Sequence, residues 1–111
     1  MSVKRVPITP AQLTATAATY YTLGANKTGF VTAATVCNTD SSAHTFTFHR
    51  VPSGGTASAS NMVVKARPIA AGESQTVFEL LGKALAPGDT IQALADAPAF
   101  ITFDGSVAEV V

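Results

Sequence analysis

The chain has 111 residues, which corresponds to one domain. Hydrophobic residues make up 47% of it and charged residues only 13%, a composition that excludes a disordered chain. Seven Lys and Arg balance seven Asp and Glu, so the basic excess of a nucleic-acid-binding protein is missing. A neutral, weakly charged surface is poorly protected against association, which favours a protein that works bound to a partner.

Residues 1–10 are predicted to form an extended arm, because Pro7 and Pro10 prevent a regular helix. Lys4 and Arg5 precede a stretch that prolines and polar residues interrupt, so it does not have the apolar region of a signal peptide. No stretch of the sequence is long and apolar enough for a transmembrane helix. We therefore expect no contact with a membrane.

Residues 11–111 are predicted to form a single β-sandwich domain. Stretches rich in β-branched and aromatic residues alternate with Gly, Pro, Asn, Asp and Ser. The predicted strands cover residues 13–23, 29–37, 44–51, 62–69, 75–80, 91–94, 99–104 and 107–111, with a helical or strand-like connection over 80–85. Eight or nine short strands at a spacing of roughly 10 residues are typical of an antiparallel sandwich or barrel.

Two kinds of connection stand out between these strands. Residues 52–61 contain Gly54 and Gly55 and no large side chain, which predicts a mobile, exposed loop. Residues 69–74 (IAAGES) and 85–90 (LAPGDT) have the same pattern, in which a glycine turn is followed by an acid, a hydroxyl residue and a strand. We interpret this similarity as the same turn chemistry used twice.

The titratable residues do not form a recognisable catalytic or metal-binding pattern. Most of the acids lie at predicted turns, where they serve the local backbone. His44 and His49 are five apart in one strand and point to opposite faces, so they cannot share a metal ion. Cys37 is the single cysteine and is predicted to be a small buried hydrophobe. Gly54 and Gly55 lack the lysine of a phosphate-binding loop. We therefore predict no enzymatic activity, no cofactor and no small-molecule substrate.

Tyr20 and Tyr21 are the candidates for an aromatic contact surface. Adjacent residues of a strand face opposite ways, so at most one of them belongs to a platform that stacks on a sugar or a base. The other is predicted to pack internally or to join a subunit interface. Lys65 and Arg67 share a strand face, but two charges do not make a basic patch.

Three segments carry a resemblance to a known family. VTAATVCNTD at 31–40 and TFTFHRVPSGG at 45–55 resemble small virion proteins of tailed bacteriophages, in which a VCNT turn precedes a TxxxHxVPSGG strand and loop. LAPGDTIQAL at 85–94 matches the LAPGDxIQAL of the same proteins. The resemblance covers residues 20–103, and within the group the chain is most similar to capsid decoration (staple or cement) proteins of short-tailed phages. Arg50 departs from the pattern, since an apolar residue is expected there.

The resemblance implies a jelly-roll-like sandwich that sits on the outside of a virion after assembly in the host cytoplasm. Its partners would be the major capsid protein and a second copy of the chain, as homodimers at capsid two-fold axes. We expect the N-terminal arm to clamp the shell by adding a strand to an open edge of the partner. The predicted contact residues are Val3, Lys4, Arg5, Val6, Ile8, Tyr20 and Tyr21.

Three other functions remain open from the sequence. A neck, tail or fibre-associated virion protein would have the same composition and a different location. A carbohydrate-binding module would need an exposed aromatic platform, but the chain has no Trp and only 7% aromatic residues. A small enzyme lacks candidate residues.

Overall fold

The computed structural model describes residues 2–111, which form nine β-strands in two antiparallel sheets and one short 3-10 turn at Ala59–Asn61. The strands are β1 Val3–Gln12, β2 Ala18–Thr22, β3 Thr28–Asn38, β4 His44–Val51, β5 Met62–Ile69, β6 Ser74–Thr76, β7 Ala84–Leu85, β8 Thr90–Ala95 and β9 Ile101–Val110. The first sheet has the order β1-β9-β3-β6, with β7 also paired to β3, and the second has the order β2-β8-β4-β5. The first strand pairs with the last and the second with the last but one, which is the connectivity of a jelly roll. The prediction of an all-β, jelly-roll-like sandwich is confirmed.

The core lies between the inward faces of the two sheets. Phe46 and Phe48 of β4 and Phe103 of β9 are its largest fully buried side chains. The rings of Phe48 and Phe103 meet edge to face across the sheets, with centroids 4.9 Å apart. Removing one such ring costs about 3–5 kcal/mol, so this contact contributes substantially to holding the sheets together.

The predicted N-terminal arm is a strand of the first sheet. β1 pairs with β9 from Val3 opposite Val110 to Gln12 opposite Thr102. Pro7 and Pro10 are tolerated because β1 is an edge strand, where half of the backbone groups need no partner strand. The prediction that residues 1–10 lie apart from the sandwich is therefore wrong for residues 2–10; Met1 lies outside the described residues.

Three strand boundaries differ from prediction. Residues 13–17 are a loop, so the predicted strand 13–23 shortens to β2, and the predicted strand 75–80 ends at Thr76 before a turn. The two strands predicted around Gly105 are one continuous β9. Gly105 allows β3 to approach, because a Cβ at this position would lie 2.5 Å from the carbonyl oxygen of Ala33.

The 52–61 loop is exposed but anchored to β4. The Nδ1 of His49 lies 3.1 Å from the carbonyl oxygen of Ser58 and 2.8 Å from Oδ1 of Asn61. Both partners are acceptors, so this nitrogen carries the proton. The Nδ2 of Asn61 donates to the carbonyl oxygen of Thr56 at 2.8 Å. His49 is buried by these contacts and serves the loop.

The two similar glycine turns have the same hydrogen bonds. Gly72 and Gly88 adopt positive φ values of 72° and 84°, which glycine does without strain. The carboxylate of Glu73 accepts from the N–H of Ala70 at 2.7 Å, and that of Asp89 accepts from the N–H of Ala86 at 2.9 Å. Each turn carries the chain from one sheet to the other, at opposite ends of the sandwich. The prediction of one turn chemistry used twice is confirmed.

We name the two ends of the sandwich by the strand that runs between them. β9 begins at the Ile101 end and finishes at the Val110 end. The antiparallel pairings place the start of β4 at the Ile101 end and the start of β3 at the Val110 end.

Candidate binding surfaces

The Ile101 end is closed by a histidine between two carboxylates. The Nε2 of His44 lies 2.8 Å from Oδ2 of Asp40, and its Nδ1 lies 2.9 Å from Oδ1 of Asp96. The imidazole stacks on the ring of Phe100 with centroids 4.8 Å apart. The hydrogen bond to Asp40 raises the pKa of His44, the bond to Asp96 adds to this, and the pKa of Asp40 is lowered in turn. The arrangement joins two turns to the start of β4.

The Val110 end contains a second charged cluster. The hydroxyl of Tyr21 donates to Oε2 of Glu109, and the Nζ of Lys27 lies 3.0 Å from Oε1 of the same carboxylate. The hydrogen bond from Tyr21 and then that from Lys27 lower the pKa of Glu109. Burial and the hydrogen bond to Glu109 raise the pKa of Tyr21. Tyr21 is therefore an internal cross-link between the sheets.

Tyr20 is also engaged within the chain. Its hydroxyl accepts from the N–H of Thr14 at 3.2 Å and donates to the carbonyl oxygen of Gln12 at 3.3 Å. Its ring packs edge-on against Phe103. A β-bulge follows Thr19, and both tyrosines pack against the core. The expectation that the two face opposite ways is wrong for this reason, and neither presents an open aromatic platform.

The predicted N-terminal contact residues separate onto two faces of β1. Ile8 is 1% exposed and belongs to the core, so its prediction as a partner contact is wrong. Val6 pairs opposite Val107 and is half-buried, on the same inward face of β1 as Ile8. Lys4 pairs opposite Glu109, whose pKa it helps to lower.

Val3 and Arg5 lie on the outward face of the first sheet. Val3 is in one row with Val110 and Thr28, and Arg5 is in the next row with Ala108 and Phe30. We call the surface formed by these six residues the outer patch. Val3 is 64% exposed and Phe30 is 42% exposed, on the two strands that flank β9, and exposed apolar side chains that share one face of a sheet are candidates for a contact surface.

Alternation in the sequence does not reveal that Phe30 is exposed, because the β-bulge after Val31 shifts the phase of β3 and leaves Val36, six residues further on, buried. In the structure the neighbours Gly29 and Val31 are buried and Phe30 lies on the outward face. A phenylalanine that alternates out of phase with the core is a candidate contact residue. Val110 could be assigned to the same surface only after β9 was aligned with β1 and β3.

An open cleft of about 620 Å³ adjoins the outer patch at the Val110 end. Its apolar lining comes from Phe30, Ala84, Leu85, Ala86 and Val110, and its charged lining from Arg50, Lys83 and Asp89.

Arg50, the departure from the phage pattern, braces this cleft. Its Nη1 donates to the carbonyl oxygen of Ala84 at 3.3 Å and lies 3.5 Å from Oδ2 of Asp89. The buried Asp89 carboxylate also accepts from the backbone N–H groups of Ser53 and Ala86. Asp89 is thus fully engaged, and the positive charges of Arg50 and Lys83 dominate the exposed rim.

The edge strands of the described chain are poorly suited to pairing with another sheet. β1 carries Pro7 and Pro10, and β5 carries Lys65, Pro68 and a residue with φ of 43° at Ala66. β2 is bulged, and β6 and β7 have three and two residues. Prolines, lysines, bulges and short strands all interfere with edge-to-edge hydrogen bonding. Faces and ends, rather than edges, remain for contacts with partners.

Within residues 2–111, no group of three His, Cys, Asp or Glu side chains is placed to hold a metal ion. The same stretch contains no helix of the length and apolarity needed to cross a bilayer.

No family model and no curated protein matches the chain in sequence. One solved structure is similar: a protein of Bacillus endospore appendages, described as a novel family of disulfide-linked pili. The two chains are 20% identical, with a TM-score of 0.55 over 99% of this chain and 87% of that one. At this identity the likeness shows a shared β-sandwich fold.

Proposed function

We propose that the protein is a structural, non-enzymatic virion component of the capsid decoration type. It binds the outer surface of the major capsid protein lattice and holds neighbouring capsomers together against the pressure of packaged DNA. The observation that carries the proposal is the outer patch, an exposed surface with apolar side chains on a sandwich whose buried carboxylates, Asp89 and Glu109, bond to partly exposed cations.

The internal cross-links fit a part that bears load. Both ends of the sandwich are tied across elements, by His44 at one end and by Tyr21 and Glu109 at the other. A bridge over a seam between capsomers resists opening only if it deforms less than the seam does. These contacts stiffen the ends, through which force would pass.

The outer patch supplies adhesion. Burying Val3 and Phe30 against a shell removes apolar surface from water, worth about 1–3 kcal/mol for each side chain. If two copies join as the proposed homodimer, the second attachment becomes intramolecular and gains avidity without new contacts. Individually weak patches then suffice for stable decoration.

The single cysteine argues against the disulfide-linked assembly for which the structural neighbour is named. The structural neighbour is described as belonging to disulfide-linked pili, and a linear disulfide-linked array needs two cysteines in every subunit. These 111 residues contain only Cys37, which is half-buried in β3. One cysteine permits at most a disulfide-linked pair, so these residues cannot form a linear disulfide-linked array and the proposed adhesion to the shell is non-covalent.

The test uses shells of the tailed phage to which we assign the protein, prepared without it. Added protein is expected to co-sediment with the shells and to give density on their outer surface by cryo-electron microscopy. Phe30→Ser should weaken binding by about tenfold, the factor that corresponds to 1.4 kcal/mol. The matched control is Phe78→Ser, because Phe78 is 71% exposed in the turn after β6 and lies outside the outer patch.

Two results would overturn the proposal. Protein that stays in the supernatant does not decorate shells, and equal losses for the two phenylalanine variants exclude the outer patch as the contact. Density confined to the neck, tail or fibres would replace decoration by the alternative virion role.

A further inference from the structure

The charged residues of this neutral chain are separated along its long axis. The sandwich measures 46 × 25 × 19 Å. Five cationic side chains lie at or near the Val110 end: Lys4, Arg5, Lys27, Arg50 and Lys83. The two anionic residues at that end, Asp89 and Glu109, are buried and already bonded to Arg50 and Lys27. The Val110 end therefore carries a net charge of about +3 and exposes mainly its positive groups.

The Ile101 end has the opposite character. Asp40 and Asp96 flank His44, Glu73 closes the turn beside Asn38, and Asp104 is exposed on β9 three residues from Ile101. Arg67 is the described cation nearest to this end, since it pairs opposite Phe46 on β4, and its charge is matched by its ion pair with Glu79. The remaining charge is that of Lys65 on β5.

The two ends do not neutralise each other within one molecule. The Debye length at physiological ionic strength is about 8 Å, far shorter than the length of the sandwich. Each end therefore presents its own charge to an approaching molecule. In a solution of the purified protein, the oppositely charged surface that it meets is the other end of a second copy.

We propose that the Val110 end of one copy binds the Ile101 end of a second copy, head to tail. The cleft beside Phe30 receives the exposed turn of residues 96–99 (DAPA). Asp96 of that turn meets the positive rim formed by Arg50 and Lys83, and the small apolar Pro98 meets the apolar lining of the cleft. The contact is heterologous and joins opposite ends of the long axis, so two copies leave one free end of each kind and further copies can add to them.

The edge strands, which are poorly suited to pairing, support end-to-end association of copies. Prolines and short strands disfavour side-by-side pairing of sheets, whereas the ends carry complementary charge. The inference goes beyond the proposed function and does not rest on it, because it concerns contacts between copies in the absence of a shell. Exposed ion pairs are weak individually, so the association is salt-dependent and needs high protein concentration.

The test is sedimentation velocity of the purified chain over a concentration series, at ionic strengths of about 0.01 M and about 1 M, where the Debye length is about 30 Å and about 3 Å. The sedimentation coefficient is expected to rise with concentration without a plateau at the dimer in low salt, and to stay at the monomer value in high salt. A chain that remains monomeric in low salt overturns the proposal, and so does one that stops at a dimer.

Charge exchange tests the two surfaces separately. Lys83→Glu places a negative charge beside Arg50 on the cleft rim, and Pro98→Lys adds a positive charge to the exposed turn without removing the bond between Asp96 and His44. Each variant alone is expected to lose at least about tenfold in association constant, because like charges then face each other. An equimolar mixture should recover association, because the two altered surfaces attract.

The matched control is Lys65→Glu, which makes the same charge change between the two ends. It should reduce association far less than Lys83→Glu does. Equal losses for these two variants, or a mixture that shows no recovery, would refute the head-to-tail contact.

Discussion

Replacing Asn38 removes a buried amide that ties the two sheets together at the Ile101 end. Its Nδ2 lies 2.8 Å from the carbonyl oxygen of Ser42, 3.2 Å from that of Ile69 and 3.3 Å from that of Ala70, and its Oδ1 accepts from the N–H of Asp40 at 3.0 Å. The side chain is fully buried. Asn38→Asp keeps the shape and the acceptor but turns the donor into an oxygen that faces three carbonyl groups.

The expected destabilisation at pH 7 is about 2–4 kcal/mol. Each lost hydrogen bond is worth about 1 kcal/mol, and an unsatisfied buried group costs about 1–3 kcal/mol. Against a total stability of about 5–15 kcal/mol this is a large fraction. For a domain of this size it lowers the melting temperature by about 10–15 °C.

The pH dependence identifies the cause. Burial among carbonyl oxygens raises the pKa of the introduced carboxyl group in the folded state above its unfolded value of about 3.9. The protonated group can donate again. The stability lost in Asn38→Asp is therefore full above the raised pKa of the folded state and shrinks as the pH falls from there towards 4. Asn38→Ala loses the same bonds without adding a charge, so its deficit stays constant with pH.

Urea unfolding of the three proteins at about pH 4 and pH 7 measures both effects, each variant compared with the unaltered chain at the same pH. A deficit of Asn38→Asp that is absent at pH 7, or equal at the two pH values, would refute the role given to this amide.

Two further predictions concern the sheet and the Ile101 end. Gly105→Ala should destabilise the fold by about 1–3 kcal/mol in urea unfolding, because the new Cβ would lie 2.5 Å from the carbonyl oxygen of Ala33. Gly24→Ala, whose Cβ meets only a flexible lysine side chain at 3.4 Å, should change stability by less than about 0.5 kcal/mol, and equal effects would contradict the close approach of β3. The hydrogen bond to Asp40 raises the pKa of His44 above 6.5, so its contribution to stability is complete below pH 6.5 and is lost as the pH rises through the folded value. His44→Gln should therefore differ most from the unaltered chain below pH 6.5 in thermal unfolding, and a difference that is constant with pH would contradict this.

Strands with clear alternation between firm boundaries were predictable from the sequence. The bounds predicted for β4 and β5 agree with the structure, because a polar turn precedes His44, Pro52 follows Val51, and Pro68 lies close to the end at Ile69. The two glycine turns were also predictable, since the glycine and the acid after it act within four residues. In each case the determining contacts are local.

Features that depend on distant neighbours were not predictable in the same way. Prolines in residues 1–10 indicated a separate arm, but the inward side chain of Ile8 and the last strand make this segment part of the sheet. The bulge after Thr19 turns Tyr20 and Tyr21 towards the core, although simple alternation separates them. The outer patch required three strands, from both ends of the chain, to be aligned.

The edge strands of the two sheets affect how the protein behaves at high concentration. Backbone groups along the free side of β1 and β5 stay hydrated, because proline and lysine keep a neighbouring strand from docking on them. Copies at high concentration are therefore expected to resist amyloid-like fibre growth. The free edges of the sheets, where such growth begins, and the exposed apolar side chains of the outer patch are different parts of the molecule.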